Sequence, residues 1–274
     1  MPMFARLFFY SFCFLIPLTE IFATQNLPIP AGTKLIYTLQ WSFFPVGEAI
    51  MSIDGPIDFE GQKAYTLNIK VKTNSFADTF YKVRNESTSW LNEDWSKSLH
   101  FESDQHEGGR ERQTSILFDW KRMLAQYSRR GETKDPIPLT RKCYDPFGTS
   151  LGVCRMPLKV GDTLTIDVTN GKKMMVDNIN VIKEERVKIP LGSLDAILVE
   201  PGTEDLGGVF KKSEGATMRI WLSADSYQIP VRLQSEVSVG SFWGELVRVE
   251  GPLAEHYDLP EETKSKTRRG GRRR

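Results

Sequence analysis

The sequence is poor in the residues that most often carry chemistry. It holds three cysteines and three histidines. So few cysteines exclude the disulfide-dense scaffolds of small secreted domains. Beyond the N-terminus there is no apolar run of the roughly 18 residues that a spanning helix needs, so the body is not a helical membrane protein. No nucleophile elbow, phosphate-binding glycine loop, dinucleotide fingerprint or paired-histidine zinc motif occurs, and none of the enzyme classes they mark is indicated. No cofactor is implied. Glu184-Glu185 are sequence neighbours, the common pattern of exposed charge rather than of an acid–base pair. Net charge is also small, +1 from 36 basic and 35 acidic residues.

What is present is a chain of 274 residues, 40% apolar, enough for the core of one large β domain or two small ones and too much for wholesale disorder. Residues 1–23 read as a secretory signal peptide. Arg6 supplies the positive start, Leu7–Ile16 an apolar stretch interrupted by Pro17 and Glu20, and Ala23 a small residue before cleavage. The alternative is an uncleaved anchor. The expected compartment is the periplasm or the exterior, both oxidising. Residues 24–260 then form a single β-rich domain, and residues 261–274 a disordered basic tail.

Period-2 alternation dominates that domain. Leu35, Tyr37, Leu39 and Trp41 alternate with Ile36, Thr38, Gln40 and Ser42, and similar patterns cover Tyr65–Val71, Leu164–Val168 and Val231–Val239. Each gives a strand with one apolar and one polar face. Pro45, Asp54-Gly55-Pro56, Gly108-Gly109, Asn170-Gly171 and Gly251-Pro252 punctuate them as turns, with Asn170-Gly171 closing a hairpin between Leu164–Val168 and Met174–Ile182. Helix signals are confined to Ser75–Tyr81, with Ser75 as cap, and to a short helix opened by Asp145-Pro146. The fold class is mainly β, a large antiparallel curved sheet or partly open barrel with one or two short helices.

Cys143 and Cys154 are natural disulfide partners in an oxidising compartment, and a bridge would contribute about 3 kcal/mol on the chain-entropy view. A continuous helix between them would hold their Cα atoms about 15 Å apart, against the limit of about 7 Å for a bridge. The bridge is expected, with Gly152 turning the chain back; the alternative is two separated thiols. His100, Glu102, Asp104 and His106 share one strand face, but positions two apart lie about 6.6 Å from each other. The face is read as solvated and no metal is assigned. His256 is read as a surface residue.

The tail from Lys264 holds seven basic and no acidic residues. Without it and the signal the body has 28 basic against 34 acidic residues, a net of −6. The near-neutral total therefore hides an acidic body with a tail of +7 charge. The tail is expected to meet an anionic surface or to fold back on its own acidic body; the alternative is a solubilising segment. No nucleic acid partner is expected of an exported chain.

Several stretches resemble a bacterial exported family catalogued as domain of unknown function 3108. They are Tyr37–Ala49, with Gly47-Glu48-Ala49; Asp145-Pro146-Phe147 through Arg155; Gly192–Ala196 with Val199-Glu200-Pro201; and Trp221-Leu222-Ser223-Ala224-Asp225 with Ile229-Pro230-Val231. The likeness covers most of residues 33–250. The cysteine pair and the arginine-rich tail depart from the family pattern. The resemblance implies an envelope protein of unassigned biochemistry, with a fold similar to the open half-barrel of periplasmic lipoprotein carriers. Asp145, Arg155 and Asp225 are then family-linked positions with structural roles: helix cap, buried ion partner and turn former. A curved sheet with an apolar concave face would shelter an apolar or amphipathic ligand. Trp41, Phe43, Phe44, Trp221 and Trp243, with Phe76 and Phe80, are the residues available to line it.

The leading expectation is a non-enzymatic periplasmic protein binding an apolar or amphipathic envelope component. The alternatives are an interaction module docking onto other envelope proteins and a hydrolase of envelope polymers.

Overall fold

The computed structural model describes residues 26–202, 216–237 and 240–258. The signal segment and the basic tail lie outside the described residues. Fifteen strands make one sheet. They are β1 (Thr33–Trp41), β2 (Phe44–Phe59), β3 (Gln62–Thr73), β4 (Val83–Asn92), β5 (Ser98–Glu107), β6 (Arg110–Asp119), β7 (Leu124–Arg129), β8 (Glu132–Thr133), β9 (Ile137–Pro138), β10 (Thr163–Thr169), β11 (Met174–Ile189), β12 (Gly192–Pro201), β13 (Thr217–Ser223), β14 (Pro230–Val237) and β15 (Gly240–Glu250). The helices are α1 (Ser75–Asp78) and α2 (Gly148–Cys154).

The spatial order runs from β10 through β15 in sequence, then from β1 through β8, with β9 beside β7, and the ladders are antiparallel. The N-terminal strand therefore sits in the middle, between β15 and β2. The sheet is not closed by hydrogen bonds, but its two ends approach. The Asn170-Gly171 turn of the β10–β11 hairpin packs on Ile116 and Tyr127 of β6 and β7, and Lys172 lies over the Tyr127 ring. The strap at Cys143–Tyr144 bridges the gap, since Tyr144 pairs with Val168 of β10 and the Cys143 carbonyl accepts from the Ser98 amide.

Directly opposed residues of neighbouring strands share a face. The Leu35, Tyr37, Met51, Ile53, Leu67 and Leu246 face is the core face, and Leu151, Val153 and Cys154 of α2 pack into it. Ile29 ahead of β1 and Leu253 and Tyr257 after β15 complete the same cluster. A smaller cluster around Phe101, Ile116, Phe118, Tyr127 and Cys143 fills the other flank. The concave face is thus occupied by the chain's own helix and terminal segments, rather than left open.

The core stops partway along the strands. No residue is buried in Thr38–Trp41, Phe44–Ile50, Asn68–Thr73, Val83–Glu86, Asp104–Glu107 or Arg110–Ser115. These stretches form a thin blade of sheet that projects beyond the core.

Two expectations are corrected. Among the described residues there is no disulfide: Cys143 and Cys154 are both free and buried. Cys143 lies ahead of α2 and Cys154 is its last residue, and they belong to different clusters, because the helix continues through Gly152, which packs against the Tyr144 ring, instead of turning back there. Asp54-Gly55-Pro56 is not a turn between strands but a bulge inside β2, which resumes its pairing with β3 at Ile57.

Candidate functional site

The end of the blade is aromatic and exposed. Trp41 and Phe44 flank the two-residue β1–β2 loop, whose first residue Ser42 holds the left-handed φ of 54° that such tight hairpins use. Phe43 at the apex is 93% exposed. Beside it stands α1 with Phe76, and the turn after it carries Phe80, 79% exposed, and Tyr81. Phe44 stacks on Phe76 at 6.3 Å, Phe76 meets Phe80 edge-on at 5.5 Å, and Trp41 stacks on Phe242 of β15 at 6.4 Å. Seven large rings thus share one end of the molecule, each of them exposed.

Hydrogen bonds hold this tip in shape. Asn74 caps α1 by accepting from the Ala77 amide at 2.9 Å, and its side-chain amide donates to the Pro45 carbonyl at 2.7 Å. Its own amide donates to the Val46 carbonyl, so helix and hairpin are fastened together. The cap is therefore Asn74 and not Ser75, because Asn74 has the extended backbone a cap needs (ψ 174°). Arg84 grips Asp78 with both guanidinium nitrogens, at 2.6 and 3.1 Å, and Thr73 donates to the same carboxylate. The Arg84 hydrogen bonds hold the Asp78 carboxyl below its ordinary range. The Tyr81 ring lies against Gly108, where any Cβ would collide with it.

Behind the tip, the blade's polar face forms a groove of about 840 Å³. Cross-strand pairs make its floor, Lys72 with Glu48 at 2.7 Å and Lys70 with Glu86 at 2.8 Å, beside the pair His106 and Asp104 within β5 at 3.1 Å. Its cations Lys70, Lys72, Arg84 and Arg130 match its anions Glu48, Glu86, Glu102 and Asp104 in number, so it is polar but balanced. A smaller furrow of about 460 Å³ shares Glu48 and Lys72 and leads to Pro45, Gly47 and Asn74 at the foot of the tip. His100 pairs with Glu102 at 3.0 Å, so the four side chains of that strand form two local pairs. No group of three or more metal-type side chains converges among the described residues.

The aromatic residues expected on one concave face divide into two places. Trp41, Phe43, Phe44, Phe76 and Phe80 form the tip. Trp221 is buried, donates to Glu185 at 2.9 Å, and stacks on Trp243 at 6.5 Å with Arg232 over its ring. Tyr81 and Phe242 complete the tip without having been singled out. Phe242 reaches it only because β15 pairs with β1, which sets Phe242 opposite Trp41; no local pattern carries that information.

The structural residues form two knots. Asp145 is buried and accepts from Ser89 and Ser98 hydroxyls at 2.7 and 2.6 Å and from the Phe147 and Gly148 amides at 2.9 Å each. Burial pushes its carboxyl up against the downward pull of these donors. Arg155 donates to the Asn26 backbone carbonyl, which ties the N-terminal segment to the end of α2. Asp225 accepts from the Tyr227 and Gln228 amides at 2.9 and 3.2 Å, from Ser223 at 3.0 Å and from the Tyr257 hydroxyl at 2.6 Å. His256 Nε2 lies 3.3 Å from the same carboxylate oxygen that Tyr257 bonds. Ser223 contacts the carboxylate and Tyr257 instead of the imidazole, so this cluster fastens the C-terminal segment to the β13–β14 turn and does not form a serine–histidine pair.

Comparison with known proteins bears on the fold. A β-barrel-like protein of the domain of unknown function DUF1849 from Brucella abortus superposes with a TM-score of 0.53 at 10% identity, over 80% of this chain and 96% of that one. A protein from Bacteroides fragilis described as exported, with a YmcC-like fold, gives 0.32 at 11% identity, over 83% of this chain and 99% of that one. A protein from Parabacteroides distasonis described as a lipoprotein gives 0.36 at 10%, over 82% and 99%. No curated protein matches the sequence. The profile of the family described as protein of unknown function DUF3108 matches residues 36–247, nearly the whole of the described sheet, and the chain belongs to that family.

Proposed function

We propose that this protein is a non-enzymatic component of the cell envelope that binds an apolar or amphipathic envelope constituent through its aromatic tip. The observation that carries the reading is the tip itself. Six exposed large rings on two fastened loops, with Phe242 of β15 beside them, form a contiguous apolar patch, and soluble proteins keep such patches for binding. The concave face, where a sheltered ligand was expected, is filled by α2, so the binding surface moves to the outside. The signal-like N-terminus supports export, and the family likeness supports an envelope setting.

Organic extraction of the purified protein followed by mass spectrometry tests this. An acyl-bearing molecule is expected from the native protein and is expected to be depleted from a Phe44→Ser/Phe76→Ser variant. Failure to recover such a molecule, together with no binding of a monomeric dodecyl-chain probe, overturns the reading. A second reading, docking onto another envelope protein by strand addition, is favoured by β10. Among the described residues its outer side pairs only through the Tyr144–Val168 bridge, leaving Thr163–Ile166 as an open edge.

A further inference from the structure

We infer that the aromatic tip seats in the interfacial layer of an anionic lipid bilayer, so that the protein docks on a membrane surface by this end. The inference rests on the function proposed above and names what presents the acyl groups.

Shape is the first argument. The tip is convex: Phe43 and Phe80 are its most exposed rings, 93% and 79% exposed. Sites for single small ligands are concave and enclose most of the ligand. An acyl chain laid on this tip would be covered on one side only. A planar layer touches every ring at once.

Composition is the second. Tryptophan, tyrosine and phenylalanine on short loops are the side chains that settle at the boundary between headgroups and acyl chains. The tip has two such loops, with Phe242 beside them, and no long apolar element, which fits shallow insertion rather than spanning.

Charge is the third. The tip's acids are matched: Asp78 is gripped by Arg84 at 2.6 Å and Glu48 by Lys72 at 2.7 Å. Lys82, exposed next to Tyr81, adds positive charge where headgroups would lie. The body between the signal and the tail carries a net of −6 with the tip included, so an end whose acids are matched and whose neighbour is a free-standing lysine is an end that anionic lipid repels least.

The test is sedimentation of the protein with phosphatidylcholine vesicles, with and without phosphatidylglycerol, at low and high salt. Variants Phe43→Ser and Phe80→Ser remove exposed rings, and Val176→Ser is a control on an exposed apolar residue away from the tip. Unchanged thermal unfolding midpoints establish that the variants fold. Binding is expected to rise with phosphatidylglycerol and fall with salt. Each tip variant is expected to lower partitioning about tenfold, the scale of one phenyl ring withdrawn from an apolar layer, while Val176→Ser leaves it unchanged. Vesicle binding that the tip variants do not alter overturns the inference. So does binding of a monomeric dodecyl-chain probe without vesicle binding, and in that case the proposed function survives. Binding of neither overturns both.

Discussion

Asp145 gathers four donors from β4, the start of β5 and the turn ahead of α2 around one carboxylate. Replacing it with alanine strands two hydroxyls and two amides inside the protein. Asp145→Ala is expected to cost about 3 kcal/mol in urea unfolding, the scale of a lost cap plus buried groups left without an acceptor. Because burial raises this carboxyl, the stability it lends is full below its ordinary pKa and is lost as pH rises through the folded value. Asp145→Asn does not titrate and should flatten that limb of the stability profile. The thiols give a second expectation at this scale. Burial pushes both Cys143 and Cys154 up to about 12. Neither should react with a thiol reagent near neutral pH until the protein is unfolded, and oxidant should not change its mobility on a non-reducing gel. The Asp-Pro signal pointed to Asp145 as the cap of a helix; its carboxylate accepts from the Phe147 and Gly148 amides, but α2 starts only at Gly148, with Phe147 at the cap position and Pro146 outside the helix. The two seryl partners of Asp145 were not legible, because Ser89 and Ser98 come from strands far away in the chain. The cysteine pair misled for a related reason: spacing and the expected compartment favour a bridge, but α2 carries Cys154 into the main core cluster while Cys143 packs in the smaller one.

At the scale of elements, the β1–β2 hairpin and α1 behave as one unit because Asn74 bonds both. Asn74→Ala removes the cap of α1 and the tie to Pro45 together. The expected cost is about 1 kcal/mol, felt locally as faster hydrogen exchange at the Ala77 amide and as weaker vesicle binding, with the core unaffected. The blade behind this unit has no buried residue to hold it, and cross-strand pairs such as Lys70–Glu86 and Lys72–Glu48 stand in that place. Exposed pairs of this kind each contribute little, about 0–1 kcal/mol, so the blade should be the first part of the sheet to exchange. Strands such as β1, β3 and β10 were readable because period-2 alternation survives wherever one face is buried. The tip was half readable. Phe43, Phe44, Phe76 and Phe80 stand out as aromatics, but their exposure follows from the core ending before them, and that depends on where α2 sits.

The molecule as a whole is a sheet whose ends meet by packing. Gly171 has a left-handed φ of 76°, and a Cβ there would stand 3.0–3.1 Å from Tyr127 and Ile116. Gly171→Val is expected to cost about 2 kcal/mol through backbone strain and collision. It should also push the β10–β11 hairpin off β6 and β7, visible as protease cleavage near Asn170 under native conditions. Fold class was legible at this scale because nearly every segment alternates. Strand order was not, since nothing local says that the first strand pairs with the last.

That order has a consequence for biogenesis. Leu35 in the middle of the finished sheet lies opposite Val249 near its C-terminal boundary. The chain is made from its N-terminus, so β1 gains β2 early and then presents a bare, alternating apolar edge until β15 emerges. Contacts so distant in sequence form slowly, and unpaired edges invite association between chains. A nascent copy therefore depends on protection for nearly the whole length of its synthesis. A copy truncated before Gly240 would never lose that need.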